Sequence, residues 1–109
     1  MLYIPSKGDV IFLDFNPSSG HEQNGHRPAI VVSNFDFNKA TEMAIVCPIT
    51  NTINKRPYRV LLPEEMKTTG IVLCEQVKSL DIKARKAYFS EKAPDDLIDK
   101  VVNMIGLFL

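Results

Sequence analysis

Almost throughout, the chain consists of short apolar runs rich in β-branched residues, each cut off by glycine, proline, asparagine or aspartate before it reaches helical length. That rhythm restricts it to a small all-β barrel or sandwich. Residues 10–15 form a first strand, entered through Gly8-Asp9 and left through Asn16-Pro17-Ser18-Ser19-Gly20, two sets of turn residues. Pro28 opens a second strand over 29–33, centred on Ile30-Val31-Val32. Further strands are predicted over 43–49, 58–62 and 71–77, and a short one over 87–89 follows the basic turn Lys83-Ala84-Arg85-Lys86. Six strands are about what a small barrel needs. Residues 34–42 read as a polar link with Phe35 and Phe37 at alternate positions, whereas Phe12, Phe15 and Phe89 lie in strands and are expected in the core.

The period changes near the C-terminus. Leu97, Ile98, Val101, Val102, Ile105 and Phe108 recur at helical spacing, behind Pro94 in a first-turn position and Asp95-Asp96 where the helix macrodipole favours acids. One amphipathic helix is predicted, its stripe capping the barrel, with part of it and the tail Leu107 to Leu109 available to a second subunit. With 109 residues, 45% of them hydrophobic, the chain can bury one core, so residues 1–109 are expected to be a single domain. The first residues lack the apolar run of a secretory signal, and no stretch is long enough to span a bilayer, which points to the cytoplasm and away from membranes. Cys47 and Cys74 each sit in an apolar run without a metal-ligand neighbour and read as reduced core thiols. Lys plus Arg equals Asp plus Glu, 13 against 13, so any contact with a polyanion must come from a local patch.

There is no glycine-rich phosphate loop with its lysine, no His/Cys cluster, no carboxylate pair at metal-ligand spacing and no serine elbow, so no metal or other cofactor is expected. The densest polar stretch is Gly20-His21-Glu22-Gln23-Asn24-Gly25-His26-Arg27-Pro28. Pro28 restricts the backbone of Arg27 at a strand mouth, where a guanidinium fork can grip a phosphate or serve as a structural ion-pair partner. Thr50 ends an apolar strand at Pro48-Ile49 and can turn its hydroxyl to the same rim, or act only as a turn residue. In Glu75-Gln76-Val77-Lys78-Ser79, Gln76 and Ser79 can read base edges or merely solvate a rim. Lys55-Arg56-Pro57-Tyr58-Arg59 joins charge to an aromatic, as single-strand binders do, and Lys83, Arg85 and Lys86 add further cations.

In this order the pieces resemble the MazF/PemK family of bacterial toxin–antitoxin systems. The likeness rests on Gly8-Asp9 with the strand after it and Asn16-Pro17, on Gly20 with Glu22-Gln23, and on Gly25-His26-Arg27-Pro28-Ala29. It continues through Cys47-Pro48-Ile49-Thr50 and Gly70-Ile71-Val72-Leu73 into Gln76-Val77-Lys78-Ser79. The resemblance implies a mainly β, SH3-like barrel with a C-terminal helix, acting as a homodimer. It also implies sequence-specific cleavage of single-stranded RNA and a cognate antitoxin whose acidic, disordered tail blocks the RNA channel. On this resemblance Arg27 and Thr50 are catalytic, Glu22, Gln23, His26, Gln76, Lys78 and Ser79 bind substrate, and Lys55, Arg56 and Arg59 are available to the RNA backbone. Attack by the RNA's own 2′-hydroxyl needs no metal and leaves a 2′,3′-cyclic phosphate and a 5′-hydroxyl. His21 and His26 have the intrinsic pKa of proton shuttles, although a solvated loop histidine is the commoner case. Two other functions suit such a fold: a toxin that binds DNA gyrase through the C-terminal helix, and a noncatalytic SH3-like adaptor.

Overall fold

The structure is a computed structural model and describes residues 1–17, 20–22, 25–52 and 56–109. Seven strands form one antiparallel sheet: β1 (Asp9–Asp14), β2 (His26–Val31), β3 (Met43–Thr50), β4 (Arg59–Leu61), β5 (Ile71–Leu73), β6 (Lys78–Asp81) and β7 (Tyr88–Lys92). Two helices join them, α1 (Phe35–Thr41) between β2 and β3, and α2 (Asp95–Gly106) after β7. The strand path is β4-β5-β3-β2-β1-β7, with β6 added to β3, so the sheet curls into an open barrel whose end strands β4 and β7 are not paired to each other.

β3 is the spine. One edge pairs with β2 through Ala29 opposite Pro48 and Val31 opposite Val46. The other edge is shared: β6 takes its first half, Met43 to Val46, and β5 takes Ile49 and Thr50. Pro48 has no N–H to give a neighbour, and the shared edge is unpaired across Cys47 and Pro48. The segment between β5 and β6 bridges that gap with a 3₁₀ turn, Cys74–Gln76. The strand predicted over 71–77 therefore ends at Leu73, and after the turn a further strand over 78–81 follows that the sequence reading did not include.

Strand alternation feeds two cores. Val10, Ile30, Cys47, Ile49 and Val72 face α2, which buries Leu97, Ile98, Val101 and Ile105 against them. Ile11, Leu13, Phe15, Ala29, Val31 and Val46 face the opposite way, onto Leu80 and Ile82. Each fully buried α2 side chain contributes roughly 1.5–3 kcal/mol, more than a helix of this length gains from propensity. Cys47 and Cys74 are buried free thiols, and the side-chain hydrogen bond with Cys74, followed by burial, pushes Cys47 far above the usual thiol range.

Other boundaries differ from the sequence reading. The link at 34–42 contains α1, capped by Asn34, whose Oδ1 accepts from the Phe37 amide at 2.9 Å, and ended by Glu42 at φ 56°. What holds this short helix is polar. Asn38, fully buried, donates to the Pro5 carbonyl at 2.9 Å and accepts from the Ser33 hydroxyl at 2.5 Å. β2 starts at His26 and stops at Val31, because Arg27 and His26 already pair with β1 opposite Leu13 and Asp14. β7 runs on to Lys92. Of the three phenylalanines assigned to the core only Phe15 is buried; Phe89 is 49% exposed and Phe12 is half-buried. Phe108 lies beyond the end of α2 and meets Tyr58 edge-on, with ring centroids 5.4 Å apart.

β7 also anchors the loop before β5. The Glu91 carboxylate accepts from the Lys67 amide at 3.2 Å, the Thr68 amide at 2.6 Å and the Thr68 hydroxyl at 2.5 Å. Slight burial raises the Glu91 pKa, but these hydrogen bonds outweigh it and hold the group below the ordinary carboxylate range. The stabilisation is complete above the unfolded value of about 4.3 and is lost as pH falls through the lower folded value. Hydrogen exchange at the Lys67 and Thr68 amides is expected to accelerate below about pH 4 in the wild type. In Glu91→Gln it should be fast and nearly independent of that titration; identical pH profiles for the two proteins would refute the anchor.

Candidate functional site

The loop from β1 to β2 is tied at its root and folded over the sheet. Asn16 Oδ1 accepts from the Gly25 amide at 3.0 Å, the Phe15 amide donates to the Gly25 carbonyl at 2.9 Å, and the Arg85 guanidinium donates to the Asn16 carbonyl. Farther out, Gln76 Nε2 donates to the His21 carbonyl at 3.1 Å, and Lys78 lies 3.8 Å from the Glu22 carboxylate. The 3₁₀ turn that bridges the β3 gap therefore also receives the loop.

Between loop, turn and β4 lies a cleft of three adjoining cavities, of about 140, 170 and 200 Å³. Gln76 borders all three. The first is walled by His21, Thr50, Thr52, Arg56, Arg59, Leu73 and Gln76. Glu22 and Lys78 line the second, and His21, Arg56 and Arg59 recur in the third.

Thr50 ends β3 and is 5% exposed. Its Oγ1 accepts from the Thr52 amide at 3.2 Å, which orients the hydroxyl. Its carbonyl lies so close to Gly70 (φ 122°) that a Cβ there would collide with it. Arg27 stands in β2, half-buried, on the face of Leu13 and Ala29. The β2–β3 pairing ends at Ala29 opposite Pro48, so Arg27 and Thr50 each lie two residues past it on adjacent strands, and Arg27 is not among the residues that line the three cavities. On the wall, Arg59 donates from Nε at 2.9 Å and from a terminal nitrogen at 2.5 Å to Glu75. That fork holds one guanidinium at a fixed angle beside the cavity.

The structure thus gathers Thr50, Arg56, Arg59, Glu22, Gln76 and Lys78 at one cleft together with His21, which the sequence offered as a proton shuttle or a solvated loop histidine. His26 and Ser79 do not face it. As the strand neighbour of Arg27, His26 points to the other side of the sheet and stacks on Phe12 and Tyr88, with centroids 6.1 and 5.6 Å away. Ser79 lines an apolar groove beside α2. Gln23 and Lys55 lie outside the described residues. Arg85 is occupied at the loop root, and Lys83 and Lys86 are exposed in the turn before β7. Among the described residues no three His, Cys, Asp or Glu side chains are placed to hold a metal ion, and no helix is long and apolar enough to cross a membrane.

Residues 6–109 match the family model described as PemK-like, MazF-like toxin of type II toxin-antitoxin system. The chain belongs to this toxin family. It is 42% identical over 85 residues to the endoribonuclease toxin MazF of Escherichia coli K12, covering 78% of this chain and 76% of that one. With the endoribonuclease PemK of Escherichia coli it shares 31% identity over 107 residues, 94% of this chain and 80% of the relative. A crystal structure of MazF from Deinococcus radiodurans superimposes with a TM-score of 0.92 at 36% identity, covering 97% of this chain and 96% of that one. A MazE-MazF structure from the same organism aligns with a TM-score of 0.84 at 31% identity, over 97% and 95% of the two chains. The toxin's sheet and C-terminal helix are those of this family.

Because Gly70 backs directly onto Thr50, Gly70→Ala is expected to cost about 2 kcal/mol in urea unfolding, from the unfavourable φ and the clash together. The Thr50 and Thr52 amide resonances should move with it. An unchanged stability and spectrum would mean that the two backbones are not held in contact.

Proposed function

We propose that the cleft binds single-stranded RNA and cleaves it through the RNA's own 2′-hydroxyl, with Arg27 and Thr50 as the catalytic pair. The toxin is an endoribonuclease of its family, and what supports this assignment is the oriented Thr50 hydroxyl in a cleft walled by Arg56 and Arg59, with Arg27 half-buried in the neighbouring strand β2. The 2′-oxygen loses its proton and attacks phosphorus. The P–O5′ bond then breaks and the leaving oxygen takes up a proton, giving a 2′,3′-cyclic phosphate and a 5′-hydroxyl. Arg27 neutralises the charge that builds on the non-bridging oxygens, and Thr50 hydrogen-bonds the same phosphate and fixes its angle. A guanidinium stays protonated near neutrality, so proton transfer falls to another group, and His21 at the cleft wall suits it better than His26. Glu22, Gln23, Gln76 and Lys78 contact the bases and backbone that flank the cut, with Lys55, Arg56 and Arg59 along the phosphates.

Two partners complete the reading. A cognate antitoxin goes with a toxin of this kind, and the charged cleft suits its acidic segment. A second copy of the chain suits the apolar groove of about 520 Å³ between α2 and β6, lined by Val32, Ile45, Val77, Val102, Ile105 and Leu109. Leu107 and Leu109 beside it are 72% and 93% exposed, the kind of surface that association covers. The gyrase-binding and adaptor readings have less support, because the cations that suit a polyanion, Arg56, Arg59 and Lys78, gather at the cleft, whereas the charges on α2 are Asp95, Asp96, Asp99 and Lys100.

With excess EDTA present, the toxin is expected to cut a long single-stranded RNA at one short word and to leave cyclic-phosphate ends. Arg27→Ala should lower that rate roughly 10²–10³-fold, the effect of losing one donor to a developing oxyanion. Equal rates would remove Arg27 from the chemistry. Leu109→Asp should shift the sedimentation coefficient from dimer to monomer at micromolar concentration, and no shift would put the second copy elsewhere.

A further inference from the structure

On the face of the sheet away from the cleft, three rings form an exposed tile. Phe12 and Tyr88 stack with centroids 5.5 Å apart and planes 11° from parallel, and His26 lies 6.1 Å from the first and 5.6 Å from the second, its plane 15° and 20° from theirs. Tyr88 is 52% exposed. An edge-to-face pack would bury the π faces, whereas parallel planes at a sheet surface leave room for a fourth ring. Phe12 is also one wall of a groove of about 460 Å³, whose other walls are Pro28, Asn51, Lys67, Thr68, Thr69 and Ser90. Pockets of roughly 300–1,000 Å³ hold small ligands.

The lining is mixed: hydroxyls, an amide, an ammonium group and only two apolar side chains. Thr69 donates to the Asn51 amide oxygen at 2.9 Å, which fixes how that amide is turned. Glu91 holds the Lys67-Thr68 wall, as described above. The groove also has an address. Pro28 adjoins Arg27 within β2, and Asn51 follows Thr50 past the end of β3 at the rim of the sheet, so the groove holds the sequence neighbour of each member of the catalytic pair. A strand leaving the cleft over that rim meets this surface next.

We propose that the tile and groove are a second RNA subsite, in which a nucleotide flanking the scissile phosphate stacks its base on Tyr88, Phe12 and His26 while Lys67, Thr68, Thr69 and Asn51 engage its sugar and phosphate. The proposal rests on the cleavage reading of the cleft and extends the substrate across the rim. Stacking accepts any base, so the subsite adds affinity and length preference without adding letters to the recognition word. His26, which the cleft leaves aside, acquires a role in substrate binding that involves no proton transfer.

Once the cut site of the wild type is mapped, two RNAs decide the matter, one ending at the borders of the recognition word and one extended by four nucleotides on each side of it. Tyr88→Ala is expected to lower kcat/KM about tenfold on the long RNA and to leave the short one unchanged. Tyr88→Phe, which keeps the ring, should behave as wild type on both. Equal losses on both RNAs would make Tyr88 a structural support of the cleft, and no loss on either would leave the tile without substrate; each result overturns the proposal. So does normal cleavage of both RNAs by Tyr88→Ala accompanied by weakened antitoxin binding, which would assign the groove to that protein. Should the wild type cut neither RNA, the cleavage reading fails by itself, and fluorescence anisotropy with the long strand then decides the subsite. Weaker binding by Tyr88→Ala supports it and equal binding overturns it.

Discussion

The pairing of one strand with three others governs the rest of the molecule. β3 is satisfied by β2 along one edge and by β5 and β6 in succession along the other, and the missing N–H of Pro48 falls where those two partners meet. A continuous partner strand would leave the sheet smooth at that point. The interruption instead produces the 3₁₀ turn of Cys74–Gln76, which lifts Gln76 and Glu75 out of the sheet plane towards the loop and Arg59. The cleft is thus a by-product of a proline in the central strand. Its depth comes from the mismatch between two strand registers, and no dedicated cavity in the core is required.

Electrostatics in the cleft work by exchange. The chain has no net charge, and two of the cleft's cations already have carboxylates near them, Glu75 at 2.5 Å from Arg59 and Glu22 at 3.8 Å from Lys78. The more exposed pair, Lys78 with Glu22, contributes little to stability, whereas the Arg59 side chain is 8% exposed and forked onto Glu75. The effect of both pairs is to keep long cationic side chains oriented, so that an incoming phosphate or an acidic peptide can replace the carboxylate without first ordering the side chain. This also limits non-specific attraction of bulk nucleic acid, which a strongly basic surface would invite.

Most strands were legible in the sequence because β-branched runs and turn residues reinforce each other, and α2 was legible because five apolar residues within it kept its period. α1 was not, since it is held by a buried asparagine and a cap, and neither leaves a hydrophobic pattern; Asn34 before Phe35 was the available signal. The split of 71–77 was hidden because its cause, Pro48, lies in a different strand. At the site, Thr50, Gln76, Glu22, Lys78, Arg56 and Arg59 could be named from chain order alone. The separation of His26 from Arg27 could not, as long as both were assigned to a loop. Once they belong to a strand, alternation sends them to opposite faces. Phe12 and Phe89 were misplaced for the reverse reason: a strand residue is buried only if something covers its face, and coverage is a tertiary fact.

The register of β7 on β1 slips between Val10 and Ile11, so that Tyr88 lies opposite Phe12 while Glu91, and not Ser90, lies opposite Val10. This one-residue slip acts as a phase shift in a surface that otherwise alternates strictly. It lets β7 present Tyr88, Ser90 and Glu91 to a single side, the ring to the tile and the carboxylate to the loop. A perfectly regular ladder could direct only one of the last two residues there. A shorter β7, tidied into even pairing, would keep the barrel yet turn either its aromatic surface or its clamp to the wrong side. The irregularity is therefore the part of this edge least open to trimming.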